Sequence, residues 1–210
     1  MHPGSTAAWR DTNSEEDRAW VHQCQQGEEN GFEKLVRKYQ QAVFNLIYHN
    51  LGPRADAEDV AQKIFAKVYF SINKFDNSRP FFPWLYRIAV NQCHDEVRRI
   101  RRSKLYTFTD LNLEETERIE KLISQSETPV ASGEDQRELH GLLLKMLDRL
   151  HKQQRTALVL RDIEDIPYDK IAEIMKCSEQ AARLKVFRAR SRLKDLVLKA
   201  LRRQQRIHQP

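Results

Sequence analysis

The chain has 210 residues, of which 31% are charged and 40% hydrophobic, with only 6 Gly, 7 Pro and 3 Cys, which suits a folded, helix-rich protein and excludes a collagen-like or disulfide-scaffold class. A formal net charge of +6 favours a polyanionic partner without naming one. No run approaches the roughly 18 apolar residues that span a bilayer, and the opening around Trp9, Arg10 and Asp11 lacks a signal-peptide core, so a cytoplasmic location without direct membrane insertion is expected.

In chain order, the first dozen residues read as a disordered tail. Phe32, Leu35, Val36, Tyr39, Val43, Phe44, Ile47 and Leu51 then recur at three- and four-residue steps, which predicts an amphipathic helix stopped by Gly52-Pro53. A second helix carries Val60, Ile64, Val68 and Ile72, opens among Asp56, Glu58 and Asp59, where acids suit the helix dipole, and fades at Asn73. The polar loop Asp76-Asn77-Ser78-Arg79-Pro80 leads to a third helix with Trp84, Leu85, Ile88, Ala89, Cys93 and Val97 inward and Arg98, Arg99, Arg101 and Arg102 at its end. Three helices on short loops make a small bundle. From about Ser103 to Gln136 the periodicity dissolves into acidic, Ser/Thr-rich sequence with Pro129 and Gly133, a linker with room for a short helix. Leu139, Leu142, Leu143, Met146, Leu147 and Leu150 open a second helical set, and Ala157, Leu158 and Leu160 follow. The fold class is therefore all-α, with two small helical domains joined by an acidic flexible linker.

The segment Tyr168 to Ser178 has helix-turn-helix grammar: a short helix, a tight turn, and Ser178 placed to cap the next helix. In that next helix Ala182, Val186, Ala189 and Leu193 share one side, while Gln180, Arg183, Leu184, Phe187 and Arg188 fall on a polar, cationic one suited to a major groove. At this spacing Phe187 is either a core aromatic or a base-facing side chain. In the first domain Phe75, Phe81, Phe82, Trp84 and Tyr86 crowd a loop and helix start just ahead of the cationic cluster. Such rings stack on unpaired bases or pack the core, and Trp84 fits the core role well. No Gly-rich phosphate loop, nucleophile elbow or metal-ligand pair is present, and Cys24, Cys93 and Cys177 are far apart, so neither catalysis nor a metal or cofactor is expected.

At three strings the chain resembles the extracytoplasmic-function, sigma-E-like sigma factors of bacterial RNA polymerase: Asp56-Ala57-Glu58-Asp59-Val60-Ala61-Gln62, Trp84-Leu85-Tyr86-Arg87-Ile88-Ala89-Val90-Asn91, and the run from Leu150 through Arg190. The resemblance covers about residues 17 to 200 apart from the linker. It implies a tail over 1–13, sigma region 2 over 14–102, a linker over 103–136, sigma region 4 over 137–202 and a basic tail over 203–210. It further implies docking of Asp59, Gln62 and Phe65 on the clamp helices of the polymerase's largest subunit, with the flap region of the second subunit as a further contact. The minus-10 element would be read and melted by Asp76, Asn77, Ser78, Phe81, Phe82, Trp84, Asn91, Asp95, Arg98 and Arg99, and the minus-35 duplex bound by Gln180, Arg183, Leu184, Lys185, Phe187 and Arg188. This comparison tips Phe187 toward DNA. An anti-sigma protein is the expected inhibitor.

Three departures stand out. Lys63 follows Gln62 where the family usually has an acid, Gln180-Ala181-Ala182 stands for a usual Gly-Thr-Val with Leu184-Lys185 for Ser-Arg, and Pro167 replaces the usual Ser or Thr before the first motif helix. The rival reading is a helix-turn-helix regulator that binds duplex DNA without docking on polymerase; only the first domain discriminates between the two.

Overall fold

The computed structural model describes residues 15–52, 56–103 and 133–207. The expected N-terminal tail, the linker between 104 and 132 and the last three residues lie outside the described residues. The periodic segments form helices as expected: α2 (Glu29–Leu51), α3 (Ala57–Ser71) and α4 (Phe81–Ser103) in the first module, then α5 (Gly133–Asp148), α6 (Lys152–Leu158), α7 (Tyr168–Met175) and α8 (Glu179–Ile207) in the second. Sequence periodicity missed α1 (Glu15–Gln25), whose eleven residues bury only Asp17 and Val21. Its partner signal is Gly31 in α2. A Cβ there would sit 2.6 Å from the Trp20 carbonyl, so a side-chain-free residue is what lets α1 lie against α2.

Asp17 is 2% exposed, yet it is fully paired: Lys38 Nζ lies 2.9 Å from one carboxylate oxygen and Tyr39 donates its hydroxyl to the other at 2.6 Å. A carboxylate buried in this way is tolerable only with both partners in place. Helix α2 stops where the sequence says it should, with Gly52 at a φ of 73° and its N–H returned to the Tyr48 carbonyl. Helix α3 opens on Asp56, whose side chain accepts from the Asp59 N–H at 3.1 Å. It ends in a 3₁₀ turn, Ile72–Lys74, that carries the chain into the polar loop.

The second module is built around the helix-turn-helix. A π segment, Val159–Ile163, continues α6, and Pro167 occupies the N-cap of α7 in extended backbone, compatible with its fixed φ. At the turn, Lys176 takes the left-handed conformation, φ 50° and ψ 54°, and closes α7. Ser178 then caps α8 by accepting the Ala181 N–H at 3.1 Å. Arg190 reaches back across 28 residues to Asp162, with Nε 3.0 Å from one carboxylate oxygen and Nη2 2.6 Å from the other, which pins α8 to the π segment.

The two modules share one hydrophobic cluster that runs from Val21 to Ala189. Helix α4 packs on α7, and α2 packs on the π segment and on α5. Among the described residues, no helix is long and apolar enough to cross a membrane.

Candidate nucleic-acid interface

Helix α4 exposes one stripe. Asn91, Asp95 and Arg98 recur at four and three residues and all face solvent, with Arg99 beside them. Asp95 and Arg98 form an ion pair on that stripe. The sequence reading placed five aromatics near it as stacking candidates, and here the structure redraws the expectation: Phe81 is 3% and Phe82 1% exposed. Phe82 lies against Tyr86 with ring centroids 4.1 Å apart, and Phe81 touches Tyr39, Phe75 and Trp84. A hydrophobic ring at a helix start within reach of the α2 core is drawn inward, because burying it stabilises by about 2 kcal/mol or more. Only Trp84, half-buried and tilted against Phe75 with ring centroids 4.7 Å apart, keeps an edge toward the surface.

The polar loop before α4 is held by its own side chains. Asp76 accepts from both the Ser78 hydroxyl, at 2.6 Å, and the Ser78 N–H, at 3.0 Å, and these bonds keep its carboxyl below its ordinary range. Asn77 donates its amide to the Arg18 carbonyl at 2.9 Å, so helix α1 braces the loop from behind. Gln25 at the end of α1 adds two more braces, donating to the Ile72 and Phe75 carbonyls at 3.0 and 2.9 Å. Sequence reading missed both contributions, because nothing local ties residues 18 and 25 to a loop some fifty positions away.

On α3, Gln62 is exposed, while Asp59 and Phe65 are half-buried. The departure at Lys63 has a structural consequence. Its ammonium lies 2.6 Å from Asp59 and 3.3 Å from Glu96, so this cation binds the neighbouring acid and a buried one on α4. Glu96 is 4% exposed and also accepts from Gln92 at 3.1 Å and Arg99 at 2.6 Å; although burial opposes it, this set of donors holds its carboxyl below the ordinary value. Beyond Phe65, α3 leaves Tyr69 50% and Phe70 82% exposed.

In the second module the recognition face is solvent-facing. Phe187 is 68% and Leu184 45% exposed, whereas Ala182, Val186 and Ala189 are buried, so the core alternative for Phe187 is not what the fold adopts. Gln180, Arg183 and Arg188 are exposed around it and Lys185 is half-buried. Arg183 is pre-positioned: Glu179 accepts from its Nε at 3.0 Å and its Nη2 at 2.5 Å, and the guanidinium lies 4.3 Å over the Tyr168 ring. The array of a planar cation, two apolar side chains and a second free-standing arginine can meet phosphate, guanine edges and thymine methyl groups. Among the described residues no cluster of His, Cys, Asp and Glu has the makings of a metal site.

The comparisons with known proteins agree with this two-part layout. Sigma-70 region 2 matches residues 35–103 and Sigma-70, region 4 matches residues 140–193. The RNA polymerase sigma-H factor of Pseudomonas aeruginosa is 32% identical over 195 residues, covering 90% of this chain and 97% of that protein. The ECF RNA polymerase sigma-E factor of Escherichia coli K12 is 31% identical over 192 residues, covering 89% and 97%. The chain belongs to the extracytoplasmic-function sigma factors. It therefore binds core RNA polymerase and directs promoter-specific initiation, and its family consists of initiation factors rather than catalytic enzymes. A solved structure of CnrH in complex with the cytosolic domain of CnrY shares the fold, with a TM-score of 0.64 at 22% identity over 87% of this chain and 97% of that one. So does the sigma factor RpoE of Bartonella quintana, solved in complex with the anti-sigma factor NepR, with a TM-score of 0.54 at 19% identity over 79% and 96%.

Proposed function

We propose that region 2 of this sigma factor spans residues 14–102 and region 4 residues 137–202, and that two solvent-facing surfaces divide the reading of a promoter. On α8, Gln180, Arg183, Leu184, Lys185, Phe187 and Arg188 bind the minus-35 duplex in its major groove. On α4, Asn91, Asp95, Arg98 and Arg99 contact the minus-10 strand, with Trp84 at the edge of the stripe and the Asp76-Asn77-Ser78 loop beside it. Phe81 and Phe82 serve that surface from the core, by fixing the start of α4. Asp59, Gln62 and Phe65 on α3 dock on the clamp helices of the largest polymerase subunit, and region 4 meets the flap region of the second.

The observation that carries this reading is the exposure of Phe187 at 68% within a cationic face of a helix whose opposite side buries Ala182, Val186 and Ala189. A large ring left in water on a basic helix is a costly arrangement for a free protein and a useful one against thymine methyl groups. The protein acts in the cytoplasm, where the polymerase is, and an anti-sigma protein restrains it, a reading supported by the complex of RpoE with the anti-sigma factor NepR.

Run-off transcription with core polymerase on pooled promoter fragments tests the reading. Discrete start sites that require the protein, lost with Arg188→Ala and with Asn91→Ala, are the expected result. Start sites that survive both substitutions would remove α8 and α4 from the promoter contact.

A further inference from the structure

The cations on the reading face of α8 are not alike. Arg183 has an acidic partner in Glu179, the residue with which the helix begins, whereas among the described residues Lys185 and Arg188 have none. Glu179 Oε1 accepts from Arg183 Nε at 3.0 Å and from Nη2 at 2.5 Å. A second restraint comes from α7. Its first residue, Tyr168, packs against the hydrophobic cluster, and the Arg183 guanidinium lies 4.3 Å over its ring, with Arg161 5.1 Å from the same ring. One arginine is therefore held along an edge by a carboxylate and over an aromatic ring that the core keeps in place.

The side chains of the ion pair are 58% and 47% exposed, so the pair adds little to the stability of the free protein. Its consequence lies in what the arginine can still reach. A guanidinium carries five N–H donors in a rigid fork. The side edge, Nε–H with one Nη2–H, is committed to Glu179, and the end edge, Nη1–H with the other Nη2–H, is left. Such an edge can meet O6 and N7 of a single guanine. The N-terminal residues of a recognition helix are also the ones that lie against base edges. With its charge balanced by Glu179 and its plane held over Tyr168, the same guanidinium is kept from swinging out to a phosphate.

We infer that Glu179 is a specificity-determining residue of this sigma factor: as a positioning residue acting through Arg183, it commits that arginine to one guanine of the minus-35 element rather than to the DNA backbone. The inference rests on the binding of α8 to the minus-35 duplex set out above.

Holoenzyme assembled from the full chain and core polymerase, offered a promoter from the run-off pool with its minus-35 element varied one base pair at a time, tests it by sequencing of the bound fragments. Wild type should prefer guanine at one position, on one strand or the other, by about fivefold or more, the discrimination of a bidentate arginine–guanine pair. Glu179→Ala should lose most of that preference at that position alone, and in an Arg183→Ala background it should alter the preference at no position. On a duplex of unrelated sequence, the free full-length Glu179→Ala chain should bind more tightly than wild type, with a logarithmic salt slope steeper by about one unit, as one phosphate contact is gained. A uniform loss across all positions, or an unchanged salt slope, would reduce Glu179 to a helix-start residue and overturn the inference. Wild-type preferences that include no guanine, or a guanine preference that Glu179→Ala leaves in place, would overturn it while sparing the promoter reading. Wild-type holoenzyme indifferent to every minus-35 position would overturn the promoter reading itself, and the inference with it.

Discussion

The two modules handle their aromatic side chains in opposite ways. In the first, Tyr39, Phe75, Phe81, Phe82, Trp84 and Tyr86 interlock, and the solvent-facing stripe of α4 is left to Asn91, Asp95 and Arg98. In the second, the core is aliphatic, built on Leu147, Leu158, Leu160, Ile166, Ile171 and Ile174, and its recognition helix leaves Phe187 in water. An aromatic residue near a basic cluster is therefore ambiguous until one knows whether a large core lies within its reach. Helix α4 has α2 and α3 to bury its rings against. The outer face of α8 has nothing.

The sharpest way to break this contrast is to remove one ring from each module. Phe82→Ala should destabilise the protein by about 3–5 kcal/mol, because it loses the transfer energy of a buried ring and leaves a cavity between Tyr39 and Tyr86. Phe187→Ala should change stability by no more than about 0.5 kcal/mol while weakening use of the minus-35 element. Urea midpoints and run-off yields measured on the same preparations would check the pair. Comparable losses of stability would mean that Phe187 is packed after all. Asp17→Ala belongs to the same scale, at about 3–5 kcal/mol by urea unfolding, since it leaves Lys38 and Tyr39 facing a buried gap.

Much of this was legible in sequence because it is local. The apolar periodicity of α2 and α3, the Gly52 stop, the Ser178 cap and the inward set Ala182, Val186 and Ala189 all follow from residues within one or two turns of each other. What escaped depends on pairs distant in the chain. The short helix α1 has too few apolar residues to declare itself and is held by Gly31 and by Asp17 with its partners. The aromatic loop stays ambiguous in sequence because its composition is the same whether its rings face in or out. Lys63 was seen as an anomaly, but its link to Glu96 needed the packing of α3 on α4.

Where the modules meet, two buried groups titrate in opposite senses. Burial raises the Glu164 carboxyl from 4.5 to about 7, with Tyr86 the group that faces it across the contact. Burial, aided by Lys152 and Arg98 and opposed by Asp95, lowers His94 from 6.5 to about 4. For Glu164 the folded form binds more protons than the unfolded, so stability is lost as pH rises from about 4.5 to 7. For His94 the folded form binds fewer, so stability is gained as pH rises from about 4 to 6.5. For Glu164 this is on the order of 3 kcal/mol, for the part-exposed His94 less because solvent screens it, and across their shared window the two oppose each other. Relative to wild type, His94→Gln should lose stability as pH rises from about 4 to 6.5, and Glu164→Gln should gain it as pH rises from about 4.5 to 7, both by denaturant unfolding at several pH values. Difference curves without slope in those windows would mean the two groups are solvated, and hence that the module contact is open in solution.

The smallest effect isolates the turn of the helix-turn-helix from everything it carries. Lys176 sits at φ 50°, where an L side chain brings Cβ against the following carbonyl at a cost of about 1–2 kcal/mol. Its ammonium is exposed and its N–H already closes α7 onto Glu173. Lys176→Gly keeps that backbone bond and relieves the strain, but it also frees the unfolded chain, so the net gain should be about 0.5–1 kcal/mol, a rise of a few degrees in Tm. Asn in the same place should fall between Lys and Gly, because its short polar side chain tolerates the left-handed region. That order, Gly above Asn above Lys, reports the backbone of the turn alone. The reverse order would mean that the lysine contributes a contact outweighing its strain, and that this turn is held in the second module as tightly as the aromatic loop is held in the first.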